Sequence, residues 1–113
     1  MALEVFALTE QWPKSYQYDV TSQIRRAALS VPTNIAEGCA TAYTKELLQF
    51  LNIAQRSVSE TQYLLRFALD RSLMSEAIHG DLHTRYDEVG RMLHGLQNSL
   101  KHRAQHPLLA TSH

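Results

Sequence analysis

The chain has 113 residues, of which 44% are hydrophobic and 19% are charged. This composition is typical of a single globular domain and excludes an intrinsically disordered chain. The 11 basic and 11 acidic side chains give a formal net charge of zero. A strongly basic nucleic-acid-binding protein is therefore not expected, because neutralising phosphates requires an excess of lysine and arginine.

Cysteine content and the lack of long apolar runs indicate the compartment. Cys39 is the only cysteine, and it cannot form an intrachain disulfide, which is typical of a reducing compartment. No signal peptide is recognisable, and no run reaches the roughly 20 apolar residues of a membrane span. We therefore expect a soluble cytoplasmic protein without a membrane partner.

The first predicted helix, Ala2 to Glu10, is short. Leu3, Phe6 and Ala7 recur at i, i+3 and i+4, which predicts that they face the core. About two turns are not stable alone, so this helix must pack on the rest of the chain. Pro13 ends it, because the residue before a proline leaves the helical region. The aromatic residues that follow are expected to close one end of the bundle or, alternatively, to form an exposed contact patch: Trp12, Tyr16 and Tyr18.

Helix two is predicted from about Asp19 to Glu37. Its apolar residues follow 3- and 4-residue steps and form one stripe: Val20, Ile24, Ala27, Ala28, Val31 and Ile35. Pro32 lies inside this stripe, where it removes a backbone donor, so we expect a kink. Asp19 or Thr21 is expected to cap the helix, and Gly38 to end it.

Helix three is predicted from Thr44 to about Asp70. Thr44 is the expected N-cap, with Tyr43 and Leu48 in the positions of a hydrophobic staple. The predicted core face is long and continuous: Leu47, Phe50, Leu51, Ala54, Val58, Leu65 and Ala68, widened by Leu64 and Phe67.

Helix four is predicted from about Glu76 to Arg103, with Ser75 as its cap. Its predicted seam is also continuous: Ile78, Leu82, Tyr86, Val89, Leu93, Leu96 and Leu100. Residues 104–113 show no periodicity, and we expect a flexible tail there. Short loops join four helices, which predicts a single all-α domain over residues 1–103, an antiparallel up-down-up-down four-helix bundle.

One group of polar residues lies close to the seams of helices two and three: Ser30, Asn34, Glu37, Ser57 and Glu60. Glu37 and Glu60 come from different helices and are free to approach each other. No nucleophile with an adjacent base and no phosphate-binding loop is recognisable. We therefore expect a hydrogen-bond network that fixes the register of the helices, no catalytic residues and no enzyme activity.

Two further sets carry candidate chemistry. His79 and His83 are at i and i+4, a spacing compatible with zinc, but no third ligand is evident. They are weak metal candidates, and we expect solvent-facing histidines and no cofactor. Arg25 and Arg26 point about 100° apart on a helix. They are candidates for salt bridges with Glu37, Glu60 or a partner chain, or for binding an anion.

Helix four is basic near its end, because no acidic residue follows Glu88. These cations either complement the helix dipole or form a surface for nucleic acid or an acidic protein. The candidate nucleic-acid contacts are Arg91, Lys101, His102 and Arg103.

Three runs, SQIRRAALSVPTNIAEG, KELLQFLNIAQRSVSETQYLL and VGRMLHGLQNSLK, carry a family resemblance. They resemble the bacterial four-helix-bundle proteins encoded in 23S rRNA intervening sequences, a family related to the accessory variability determinants of diversity-generating retroelements. The residues that match its structural and assembly signature are Arg25, Arg26, Ser30, Pro32, Asn34, Glu37, Gly38, Ser57 and Glu60.

The resemblance implies a non-enzymatic homo-oligomer, a pentamer, that acts as a scaffold or adaptor. Retroelement members bind nucleic acid and a reverse transcriptase, so an accessory protein of this kind is the alternative function. Thr41 and the pair Gln55 and Arg56 depart from the family pattern, as does the short first helix, which raises the expectation that Met1 is an internal start. A distant alternative is a metal or small-ligand site around Glu37, Glu60, His79 and His83.

Overall fold

The computed structural model describes residues 1–105, and this part of the chain contains helices and no strand. The helices are α1 (Ala2–Thr9), α2 (Ser22–Ala40), α3 (Thr44–Asp70) and α4 (Glu76–Gln105). A 3-10 turn (Lys14–Tyr16) and a π-helical turn (Gln17–Thr21) lead into α2. The predicted all-α fold with four helices is confirmed. Beyond Gln105, the predicted flexible tail lies outside the described residues.

The α1 helix buries a different face from the predicted one. Val5 is fully buried and Thr9 nearly so, whereas Leu3 is 85% exposed and Ala7 is also exposed. Apolar side chains occur on every side of this short helix, so their spacing does not define one face. The predicted core positions of Leu3 and Ala7 are therefore wrong.

The chain enters α2 already in helical conformation. Thr21 has α-helical φ and ψ angles of −60° and −47° and makes no capping hydrogen bond, and the Asp19 carboxylate accepts a hydrogen bond only from the adjacent Val20 N–H. The predicted caps are wrong because the preceding turns already occupy the backbone groups.

Trp12 is buried as predicted, but Tyr18 is 91% exposed and does not close the bundle end.

The stripe predicted on α2 is confirmed in its centre, with Ile24, Ala27, Ala28 and Val31 buried. The helix continues past Pro32 and also past Gly38, which was predicted to end it. A Cβ at Gly38 would lie 2.9 Å from Leu47 Cδ1 and 3.0 Å from Phe50 Cβ. Glycine is therefore present to admit α3, and the helix ends two residues later.

The bounds of α3 agree with the prediction, and its core residues Leu51, Ala54 and Val58 are buried. The cap prediction is wrong: extended Tyr43 is the N-cap residue, without a side-chain cap, and Thr44 is already helical. Because Tyr43 is 70% exposed, it does not form the predicted staple.

The α4 cap is confirmed, because the Ile78 N–H donates to Ser75 Oγ at 3.1 Å. Leu82, Tyr86 and Leu93 form the buried seam as predicted. Ile78 and Leu96, however, are 46% and 45% exposed, and Gln97 is buried in place of Leu96. On a straight helix, residues spaced by seven rotate slowly around the axis. The four-residue step from Leu93 to Gln97 therefore keeps the buried residues on one face of α4.

None of the helices formed by residues 1–105 is long and apolar enough to cross a membrane.

Candidate functional site

The signature residues of α2 and α3 include a compact hydrogen-bond network. Asn34 Nδ2 donates to the Ser30 carbonyl at 2.8 Å and to Ser30 Oγ at 2.9 Å. Ser57 Oγ of α3 donates to Ser30 Oγ at 2.8 Å. This network joins the two helices at one level and gives their relative offset a polar determinant.

Glu37 and Glu60 lie outside this network, and both are exposed. Gly38, next to Glu37, packs against Phe50, whereas Glu60 lies ten residues further along α3. At 1.5 Å per residue this is about 15 Å along the helix. The two carboxylates are therefore not brought together, and the grouping considered from the sequence is wrong in this respect.

Several signature residues share one face of α2 or α3 with other exposed side chains. On α2, Arg26, Ser30, Asn34 and Glu37 recur at 3- and 4-residue steps and share a face; on α3, Arg56, Glu60, Tyr63 and Phe67 do the same. The Ser30–Ser57 hydrogen bond brings the two helices together beside it. We call these eight residues, together with Ser57, the α2–α3 surface.

The α2–α3 surface combines charge with exposed aromatic area. Tyr63 is 71% exposed and Phe67 is 39% exposed. Arg26 and Arg56 supply positive charge, and Glu37 and Glu60 supply negative charge. None of these four forms an ion pair within residues 1–105.

Arg25 has a different role, because it points to α1. Its Nε donates to Thr9 Oγ1 at 2.7 Å, and Nη2 donates to the Phe6 carbonyl at 3.4 Å. Its guanidinium also lies 5.1 Å from the centre of the Phe6 ring. Arg25 thus fastens the C-terminal end of α1 to α2, a contact that sequence reasoning missed. Proposed salt bridges of Arg25 with Glu37 or Glu60 are not formed.

His79 and His83 stack, with ring centres 5.7 Å apart and planes 18° apart. His83 Nε2 lies 3.4 Å from the Asp87 carboxylate, and buried His79 Nε2 has no hydrogen-bond partner. Burial, reinforced by His83 and Arg66, lowers the pKa of His79, although Asp70 opposes the shift. No cluster of three metal-ligating side chains occurs among the described residues.

The cations near the end of α4 are exposed. Arg91, Lys101, His102 and Arg103 are all exposed. Arg91 is ten residues before Lys101, which is about 15 Å along a helix. The four residues therefore extend along α4 and do not form one compact cluster.

The family model for the 23S rRNA-intervening sequence protein matches residues 1–95. The chain belongs to this family. No curated protein matches it. The matched range contains the whole α2–α3 surface and Arg91, but Lys101, His102 and Arg103 lie beyond it. The family's name states no biochemical activity.

Proposed function

We propose that this protein is a non-enzymatic scaffold that self-associates through the α2–α3 surface, as a homopentamer, and that the assembly binds a protein or nucleic-acid partner. The observation that carries this proposal is the composition of that surface. It presents exposed aromatic rings beside cations and carboxylates that have no ion-pair partner within the described chain.

Self-complementary charge supports a second copy as the occupant. Two arginines, Arg26 and Arg56, and two glutamates, Glu37 and Glu60, lie on the same surface. A neighbouring copy of that surface offers each of them a partner of opposite sign. Tyr63 and Phe67 add the aromatic area that is enriched at interface cores.

The proposed architecture is the up-down-up-down antiparallel bundle with a kink at Pro32. Gly38 of α2 packs on Phe50 of α3, and Ser30 of α2 is hydrogen-bonded to Ser57 of α3. A later residue of α2 thus meets an earlier residue of α3, which supports an antiparallel pair. Gln55 donates a hydrogen bond to the Gly90 carbonyl, and Gln62 donates one to the Asp87 carboxylate. These two contacts support an antiparallel arrangement of α3 and α4 as well. Proline has no backbone N–H, so the Ala28 carbonyl lacks the donor that residue 32 would supply in a regular helix. This missing hydrogen bond is the reason for the proposed kink.

Light scattering after size-exclusion chromatography tests the proposal at micromolar concentration. We expect a mass of five times the 12.9 kDa chain. The variant Tyr63→Arg should dissociate the assembly, because it places a charge among the aromatic contacts. Tyr18→Arg is the matched control, since Tyr18 is 91% exposed and lies outside the α2–α3 surface.

Charge reversal tests the surface in a second way. Glu60→Arg should weaken assembly, and adding Arg26→Glu or Arg56→Glu should restore part of it. A wild-type monomer at micromolar concentration would refute self-association. Equal dissociation by Tyr63→Arg and Tyr18→Arg would refute the assignment to this surface.

A second candidate is an accessory protein for a reverse transcriptase that binds nucleic acid, related to the determinants of diversity-generating retroelements. The exposed cations along α4 favour it, and assembly would multiply them. Fluorescence anisotropy with RNA and DNA oligonucleotides should show binding that weakens steeply with salt. Arg91→Gln and Lys101→Gln should each reduce the salt slope by about one, and Lys45→Gln should not. Salt-independent binding would refute phosphate contacts.

A further inference from the structure

The short α1 helix covers only part of the face that α4 presents to it. Glu4 pairs with Arg85 at 3.1 Å, and Met1 and Val89 line one cavity of about 170 Å³. A later residue of α4 thus lies beside an earlier residue of α1, as in the proposed bundle. The α1 helix reaches only to the level of Val89, whereas α4 continues to Gln105.

The face of α4 that meets α1 continues beyond it as an apolar stripe. Val89, Met92, Leu96 and Leu100 follow Arg85 at 3- and 4-residue steps, so they share that face. Met92 is 68% exposed and Leu96 is 45% exposed, so both keep much of their surface open to solvent. From Val89 to Leu100 the stripe is about 16 Å long.

The α2 helix supplies an apolar wall beside this stripe. Pro32 and Ile35 line the cavity at Met1 and Val89, and the described residues around that cavity carry no charged side chain. An exposed apolar area of this kind marks an interaction site. It includes no residue of the α2–α3 surface. We call the following residues the α2–α4 groove: Pro32, Ile35, Val89, Met92, Leu96 and Leu100.

We propose that the α2–α4 groove binds an amphipathic α-helix of a partner protein, which continues the line of α1 along α4. About three turns of helix match the length of the stripe. The apolar side chains of the partner, spaced by three and four residues, pack between α2 and α4, as in other helix-in-groove complexes. The proposal gives the partner a site and a chemistry, and it rests only on the partner-binding part of the proposed function.

Charge at the two ends of the groove favours one direction of the partner helix. No acidic residue follows Glu88 in the chain, and Arg103 shares a face of α4 with Leu96, seven residues before it. A partner helix that runs in the direction of α1 brings its first turn to this basic end and its last turn to the start of α1. Acidic side chains in that first turn pair with Arg103, and the helix dipoles favour the same direction.

Two labelled synthetic peptides of about 14 residues test the groove by fluorescence anisotropy with the full chain. Both carry leucines at 3- and 4-residue steps. The first has glutamates in its first turn and lysines in its last turn, and the second has these charges exchanged. We expect saturable binding of the first peptide, with a dissociation constant about tenfold below that of the second. If neither peptide binds, or both bind equally, the proposal is wrong.

Three variants locate the binding site. Leu96→Lys should weaken binding of the first peptide at least about tenfold, because it places a charge in the apolar groove. Ile78→Lys is the matched control, since Ile78 is 46% exposed on the same face of α4 but lines a cavity with residues of α1. Arg103→Glu, a change at an exposed residue, should reduce the difference between the two peptides to about threefold or less. Equal weakening by Leu96→Lys and Ile78→Lys would overturn the site.

Light scattering of the same samples keeps the groove apart from self-association through the α2–α3 surface. Failure of both peptides to bind an assembly of unchanged mass overturns the groove alone. If Leu96→Lys lowers the mass and Ile78→Lys does not, a second copy covers the groove, and the assignment to a partner helix is wrong. If the first peptide binds only after residues 106–113 are removed, the chain itself covers the groove, and the assignment is wrong as well.

Discussion

The α2–α3 pair and the short α1 helix are held in the fold in different ways. The pair is long, buries a continuous apolar seam, and has a glycine, Gly38, where α3 side chains leave no room for a Cβ. By contrast, α1 has eight residues, of which it buries only Val5 and Thr9, and polar side chains contact its margins: Arg25 from α2 and Arg85, which pairs with Glu4 at 3.1 Å. Burial of a long seam stabilises one region, whereas the other combines one buried apolar side chain with arginine contacts.

The largest effect should follow from removing a core side chain of the pair. Leu51 on α3 is fully buried, so Leu51→Ala loses transfer free energy and leaves a cavity. We expect the free energy of unfolding to fall by about 2–5 kcal/mol. Urea denaturation at fixed protein concentration measures it. Leu3→Ala on α1, where Leu3 is 85% exposed, should change stability by less than about 0.5 kcal/mol. If Leu3→Ala lost as much free energy of unfolding as Leu51→Ala, Leu3 would have to be buried in the folded protein.

Arg25→Met should detach the end of α1 while leaving the α2–α3 pair intact. The change removes two hydrogen bonds and the contact with the Phe6 ring. We expect a loss of about 1–2 kcal/mol, discounted because Arg25 is only partly buried. Hydrogen exchange should accelerate in α1 more than in α3.

Arg26→Met is the control for this prediction. Arg26 is exposed and has no ion pair among the described residues, so exchange in α1 should not change. Uniform acceleration over α1 and α3 in Arg25→Met would show that the two regions unfold together.

The same contrast explains what could be predicted from the sequence. The bounds of α3 and the buried stripe of α2 could be predicted because their apolar periodicity continues over many turns. An irregularity in one turn does not change the pattern. On α1, apolar residues on every side give no preferred face, and Arg25 reaches Thr9 across 16 positions of sequence. Likewise, Gly38 reads as a helix end, because its close approach to α3 is a tertiary contact that has no local signal.

The candidate surfaces were predictable only in part. Ser30, Asn34 and Ser57 could be grouped from their positions beside the seams, and the structure joins them. Glu37 and Glu60 could not be placed, because their separation depends on the offset between α2 and α3.

A smaller effect should follow from the polar link within the pair. Ser57→Ala removes the donor to Ser30 Oγ, a bond of 2.8 Å, and should cost about 1 kcal/mol. Ser59→Ala is the control, because Ser59 is exposed on the same helix. Unfolding in urea distinguishes them. If Ser57→Ala is as stable as Ser59→Ala, the network does not contribute to the offset of the helices.

The smallest effect is a pH dependence at the start of α4. Burial lowers the pKa of His79 in the folded chain below its ordinary value of 6.5. Folded His79 therefore binds a proton less readily than unfolded His79, so acid favours the unfolded chain. This contribution to stability is complete above the ordinary pKa and declines as the pH falls below it. The charged groups that face it are His83, Arg66 and Asp70.

The free energy of unfolding, measured from pH 7.5 to 5, should decline less steeply in His79→Gln than in the wild type. His94→Gln, a change at an exposed histidine, should keep the wild-type slope. An unchanged slope in His79→Gln would assign the decline to other groups and leave the stacked pair without a role in acid stability.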